Sequence, residues 1–209
     1  MIILKLIRIQ AGIYAVNCYI IYSEDTNEGI IVDPGGDVDD ILDYVRENNL
    51  NIKYLVLTHG HADHIGGLKG LKEALGAIIA IHEDDVDMLK DADKNLSSVM
   101  AMGKVELEPD LLLREGDILE FGNEKAKVIH TPGHTRGSIC LEINDVIISG
   151  DTLFAGSIGR TDLYGGDYDT LINSIKDKLM TYPDETKVYP GHGSPTTIGR
   201  ERKYNPFLR

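Results

Sequence analysis

Apolar residues along this chain switch between two periods, and the switches divide it into elements. From Ile3 to Ile9 they alternate with Lys5 and other residues until Gly12 interrupts, which reads as a strand. Cys18–Tyr22 and Gly29–Val32 follow as β-rich runs, and Asp33-Pro34-Gly35-Gly36 makes a turn. Val38, Ile41, Leu42 and Val45 then recur at helical spacing, with Asp37 as the expected cap and Asn48-Asn49 at the end. Tyr54–Leu57 is a short buried strand. Leu68, Leu71 and Leu75 mark a helix stopped by Gly76, Ala77–Ile81 a strand, and Glu83–Lys90 a further helix. Asp91–Gly116 is the least regular stretch and reads as a long loop with some helix, a length that points to a lid over a site.

The second half repeats the mixture. Ile118–Phe121, Ala126–Ile129, Ser138–Ile143 and Val146–Ile148 read as strands, the last two joined by a turn at Asn144-Asp145. Leu171, Ile172, Ile175 and Leu179 form a helical stripe behind Asp169 as cap. Lys187–Tyr189 is a last strand and Ile198–Tyr204 a final helix. Strands cluster ahead of helices without strict alternation, so a layered α/β structure with antiparallel or mixed sheets fits better than a doubly wound parallel one. The 209 residues suit a single domain spanning 1–209.

Composition narrows the function. A formal charge of −13 with no long basic run argues against a nucleic-acid partner, because neutralising phosphates takes clustered Lys and Arg. The apolar N-terminus is broken by Lys5 and Arg8 and reads as strand rather than leader. No stretch has the roughly 20 apolar residues that cross a bilayer, so no membrane partner is expected. Two cysteines, Cys18 and Cys140, make no disulfide framework, and a reduced cytoplasmic location is the simpler expectation. That leaves a small-molecule substrate as the expected partner, with homo-oligomerisation open.

The chemistry sits in the histidines. Of seven, three fall at His59, His61 and His64 with Asp63 among them, between a buried strand and a helix. Residues two apart in an extended segment face one side, so His59 and His61 can hold one ion, while Asp63 and His64 turn with the helix toward a second. Imidazole and carboxylate suit zinc, and also iron or manganese. His134, Asp151 and His192 each stand just after an apolar strand and beside glycine, where a ligand is held rigidly and the backbone can bend around it. His82 and His130 are expected to be structural.

With those pieces assembled, the chain resembles the metallo-β-lactamase superfamily, and within it the glyoxalase II-like hydrolases in a small form lacking a C-terminal helical domain. The resemblance rests on Gly29–Gly35, Thr58–His64, Thr131-Pro132-Gly133-His134-Thr135, Ser149-Gly150-Asp151-Thr152 and Pro190-Gly191-His192-Gly193. It implies a four-layer αββα sandwich with the site along one sheet edge. It also implies two divalent metal ions, zinc ahead of iron or manganese. His59, His61 and His134 would hold the first ion, Asp63, His64 and His192 the second, and Asp151 would bridge. Asp63 is in addition the candidate catalytic carboxylate. The implied reaction is attack of a metal-bound hydroxide on a thioester of the hydroxyacylglutathione type, whose thiolate leaves readily. Asp33 would stand behind the ligands and orient them, or simply form a turn with Pro34. Arg160 would clamp a substrate carboxylate, or pair with Asp162. In Gly159-Arg160-Thr161-Asp162 the chain also resembles the persulfide dioxygenases of the same superfamily, which use one iron, so that activity is the alternative. A non-enzymatic metal-binding module ranks below both, since seven candidate ligands around two ions leave room for water.

Overall fold

The computed structural model describes residues 4–209, so Met1–Ile3, where the first strand was expected to begin, lie outside the described residues. Strand β1 (Leu4–Ala11) pairs antiparallel with β2 (Val16–Ser23), and β2 with β3 (Glu28–Val32). Helix α1 (Val38–Glu47) carries the chain back to β4 (Asn51–Val56), parallel to β3. Helices α2 (Ala62–Ile65) and α3 (Leu68–Leu75) lead to β5 (Ile78–His82), parallel to β4. A 3-10 turn at Glu83–Asp85, helix α4 (Val86–Leu89) and a long segment then reach β6 (Leu111–Leu113) at the edge. These strands form one six-stranded sheet in chain order.

The second sheet opens with an antiparallel run of β7 (Ile118–Phe121), β8 (Glu124–His130), β9 (Ile139–Ile143) and β10 (Val146–Gly150). A small hairpin of β11 (Leu153–Phe154) and β12 (Ser157–Ile158) and helix α5 (Tyr168–Lys178) intervene. Strand β13 (Lys187–Pro190) then joins β10 in parallel, β14 (Thr196–Thr197) closes the edge, and helix α6 (Ile198–Tyr204) follows.

Alternation along the strands builds four layers. In β2, Tyr19 and Ile21 face the second sheet, where they meet Phe121, Val128, Leu141 and Ile148. Cys18, Ile20 and Tyr22 face the other way, onto Ile41, Leu42 and Val45 of α1 and Leu68 and Leu71 of α3. On the far side, Ile129, Cys140, Ile147 and Val188 pack under Leu171 and Ile175 of α5 and Ile198 of α6. Strands buried on both faces explain the unbroken apolar runs of the sequence. The layers run αββα, as expected.

The pairing also places the loops. β8 and β10 are both antiparallel to β9, and β13 is parallel to β10, so these three strands point the same way. Their carboxyl ends therefore line one edge of the second sheet.

Local expectations differ from the structure in four places. Asp37 precedes α1 but does not cap it; its carboxylate instead accepts from the Gly12 N–H at 2.9 Å. Asp167, not Asp169, caps α5 by accepting from Thr170 N–H at 2.8 Å, because the helix begins at Tyr168 and Asp169 already lies in its first turn. The segment 91–116 holds no helix among the described residues, and contributes β6 instead. Lys187–Tyr189 is followed by one more strand, β14.

Phe121 is fully buried between the sheets. Phe121→Ala should lower unfolding stability by about 3–5 kcal/mol, read from a urea denaturation curve. A loss below about 1 kcal/mol would mean the sheets do not close on this ring.

Candidate metal centre

After β4 the chain bends at Thr58 and His59 and reaches His61, which has φ −69° and ψ 147° and starts α2. The rings of His61 and His64 both lie against that of His59, with centroids 4.8 and 4.1 Å away. The Ala62 N–H donates to the Asn95 carbonyl at 2.9 Å, so the long segment 91–110 is anchored directly on this loop.

Two groups of donors result. His134 Nε2 lies 3.0 Å from His61 Nδ1 and 3.2 Å from His59 Nε2. Asp63 Oδ2 lies 3.1 Å from His192 Nε2 and 3.9 Å from His64 Nε2. Asp151 faces both groups: its Oδ1 is 3.4 Å from His64 Nε2, and its Oδ2 is 3.7 Å from His134 Nε2 and 3.9 Å from His192 Nε2. Thus all seven residues singled out in the sequence meet at one place. Nitrogens bound at about 2.0–2.1 Å around a tetrahedral ion stand roughly 3.3–3.4 Å apart, close to the spacing of the first group.

Burial sharpens the point. His59, His61, His64 and His134 are 4% exposed or less. His64 Nε2 and Asp151 Oδ1, which face each other across 3.4 Å, are buried with no hydrogen-bond partner. Buried polar atoms without partners are costly, and convergent imidazole and carboxylate donors are the donor set of a zinc, iron or manganese ion. The residues present fit such an ion. The open side lies at Asp63, Asp151 and His192, whose side chains are 19%, 13% and 31% exposed.

The outer nitrogens of His134, His59 and His64 are held from behind. His134 Nδ1 donates to the Arg160 carbonyl at 2.7 Å, which leaves Nε2 with its lone pair directed inward. Thr58 Oγ1 sits 3.1 Å from His59 Nδ1 and donates to Asp33 Oδ2 at 2.7 Å. Asp33 Oδ1 accepts from the Thr58 N–H at 2.8 Å, and its Oδ2 is in ion-pair contact with His64 Nδ1 at 2.9 Å, outside hydrogen-bond alignment. Across the sheets, Asn17 Nδ2 donates to the carbonyls of Pro190 and Gly193, and the Tyr19 hydroxyl to that of Pro190, which pins the loop of His192. A Cβ at Gly191 would overlap Asp151 Oδ1 and His64 Cε1, so only glycine lets this loop approach.

Electrostatics separate the groups. Burial holds His59 well below its ordinary pKa, and the neighbouring imidazoles add to this; burial likewise lowers His61 to about 3 and lowers His134. These rings are neutral and available as ligands near neutral pH. Burial also disfavours a charged His64, but Asp33, Asp151 and Asp63 outweigh it and hold the ring well above its usual value. Asp63 and Asp151 resist burial and stay ionised, chiefly through His64.

Arg160 reaches the site through its backbone. Its guanidinium makes a two-fold pair with Asp162 at 2.8 and 2.7 Å, in solvent. His82 and His130 stack with ring centroids 3.9 Å apart, beside Asp84. Their nitrogens are engaged by the backbone: His82 Nδ1 accepts from Asp84 N–H at 3.3 Å, and His130 Nε2 donates to the Arg136 carbonyl at 2.8 Å. Asp85, which nothing in the sequence singled out from the acidic run Glu83-Asp84-Asp85, is fully buried against the ligand loops.

Comparison with known proteins shows the family. The family model described as the metallo-beta-lactamase superfamily matches residues 11–192. The chain is 39% identical to the hydroxyacylglutathione hydrolase GloC of Haemophilus influenzae over 92% of each protein. It superposes on the solved BLEG-1 B3 metallo-beta-lactamase with a TM-score of 0.91 at 37% identity, covering 99% of both chains. It also superposes on TTHA1623 in a di-iron-bound form with a TM-score of 0.84 at 33% identity, covering 97% and 100%.

Removing the carboxylate that backs His64 should loosen the second donor group. Asp33→Ala is expected to weaken zinc binding by about ten- to a hundredfold in competition with a chromophoric chelator. Unchanged zinc affinity would reduce Asp33 to a turn residue.

Proposed function

The chain belongs to the metallo-beta-lactamase superfamily, and from that premise we propose that it is a thioester hydrolase working with two divalent metal ions. The observation that carries this reading is the sharing of Asp151 between two donor groups that are closed behind and open in front. His59, His61 and His134 would hold one ion, Asp63, His64 and His192 the other, with Asp151 between them. A closed coordination sphere would serve structure alone, whereas an open rim admits water and substrate. This weighs against a merely metal-binding module.

When bound, two such cations supply a hydroxide near neutral pH and a Lewis acid for the developing oxyanion. The chain's own groups do the rest. The Arg160 carbonyl, Thr58 and Asp33 keep the imidazoles turned inward, so no reorganisation is needed during reaction. Asp63, at the rim and 3.1 Å from His192 Nε2, would stay ionised as a ligand there and accept a hydrogen bond that orients the attacking group. A thiolate leaves without a general acid, which suits a site whose imidazoles are committed elsewhere.

The thioester class is supported by the relationship to GloC, a match that runs over nearly all of both proteins. Zinc leads by donor chemistry, and the di-iron form of TTHA1623 supports iron as the other candidate. An acidic thioester would meet Arg160 only in competition with Asp162.

The test is a substrate panel on metal-loaded protein: S-lactoylglutathione, a chromogenic β-lactam, and glutathione persulfide with an oxygen electrode. Thiol release from the thioester should exceed β-lactam opening by at least about a hundredfold in kcat/KM, and His61→Ala should abolish it. Oxygen uptake on the persulfide with one iron per chain would overturn the hydrolase in favour of a dioxygenase. Dominant β-lactam cleavage would overturn the substrate class.

A further inference from the structure

Asp85 ends the 3-10 turn that follows β5 and is completely buried. Its carboxylate is surrounded by donors from two different loops. Oδ2 accepts from the Gly60 N–H at 3.0 Å and from Thr135 Oγ1 at 2.7 Å, and Oδ1 accepts from the Gly137 N–H at 2.7 Å. Gly60 lies between His59 and His61, Thr135 directly follows His134, and Gly137 lies three residues beyond that histidine. All three donors are uncharged, so no ion pair accounts for a carboxylate buried here. Burial pushes its carboxyl up to about 6, although Thr135, Gly137 and Gly60 pull the other way. Keeping a carboxylate in such a place costs the fold, and a neutral apolar residue would fill the space more cheaply. Gly137 is adapted to it: a Cβ there would run into the backbone and carboxyl carbon of Asp85.

We propose that Asp85 is a positioning residue for the first metal, its one carboxylate setting the distance between the loop that carries His59 and His61 and the loop that carries His134. These loops come from different sheets, following β4 and β8. No strand pairing joins the two sheets among the described residues; the Ile139 N–H reaches the Thr58 carbonyl at 2.8 Å, just before His59, and Asp85 adds the tie that reaches the loop of His134 itself. An acceptor with two oxygens meets donors from both sides at once. An amide cannot: with its oxygen toward Gly60 and Thr135, its NH2 faces the Gly137 N–H, donor against donor. Asp85 hydrogen-bonds none of the seven ligands directly, and its partners are chain neighbours of His59, His61 and His134, so its influence falls on one metal site of the two. The inference rests on the two-metal reading above.

The test is zinc titration of the purified full-length chain against a chromophoric chelator, with thermal unfolding of the metal-stripped protein alongside. Wild type should show two bound zinc ions. Asp85→Asn should retain one at unchanged affinity and bind the other about ten- to a hundredfold more weakly, and Thr135→Val, which removes a single donor, should shift the same ion in the same direction by less. Thr135→Val also keeps the proposal open to refutation should Asp85→Asn fail to fold. Two zinc ions at wild-type affinity in either folded variant, with only a lowered Tm, would make Asp85 a purely structural residue and overturn the proposal. Equal weakening of both ions would overturn its selectivity for the first site. Wild type that binds no zinc or iron would instead refute the two-metal reading itself.

Discussion

Convergence of imidazole nitrogens away from water is the constraint around which this molecule is built. His134 Nε2 stands within 3.2 Å of nitrogens on both His59 and His61, with almost no solvent to satisfy them. Lone pairs directed at one point are tolerable when a cation takes the point and costly otherwise. Everything that fixes the rings follows from this. Three of the rings are gripped on the far side, His59 by Thr58, His134 by the Arg160 carbonyl and His64 by Asp33. Each ligand loop leaves the end of a strand that is packed into the sandwich, where displacement would disturb a packed layer.

The same constraint divides the site into a rear and a front. The rear holds neutral imidazoles and is sealed. The front holds Asp63, Asp151 and His192, partly open, with negative charge gathered around His64. Asp151 belongs to both. An asymmetry of this kind would let bound ions be kept while water and substrate exchange, which a closed structural centre does not allow. Asn17 and Tyr19 extend the logic across the sandwich, since two side chains of the first sheet hold the His192 loop of the second.

Much of this was legible along the chain. The helical spacing of Val38, Ile41, Leu42 and Val45, and the unbroken runs at Cys18–Tyr22 and Gly29–Val32, identify elements because local backbone geometry sets the periodicity. Caps were harder. Asp37, Asp167 and Asp169 all offer carboxylates near a helix start, and a shift of one or two residues decides which one meets a free N–H. β6 was not legible, because three leucines at Leu111–Leu113 take strand geometry only from the pairing with β5.

Crowding in six positions was enough to single out His59, His61, Asp63 and His64, whereas His134, Asp151 and His192, each after an apolar strand beside glycine, needed the family resemblance as well. Which of them meet, and at what spacing, depended on two sheets folding so that the ends of β4, β8, β10 and β13 converge. Asp85 shows the limit most clearly. In the sequence it is the third acid of an exposed-looking run; in the fold its neighbours on that run face water and it alone turns inward, to donors 25, 50 and 52 residues away. Contacts of that separation leave no period in the chain, so only the tertiary structure could decide them.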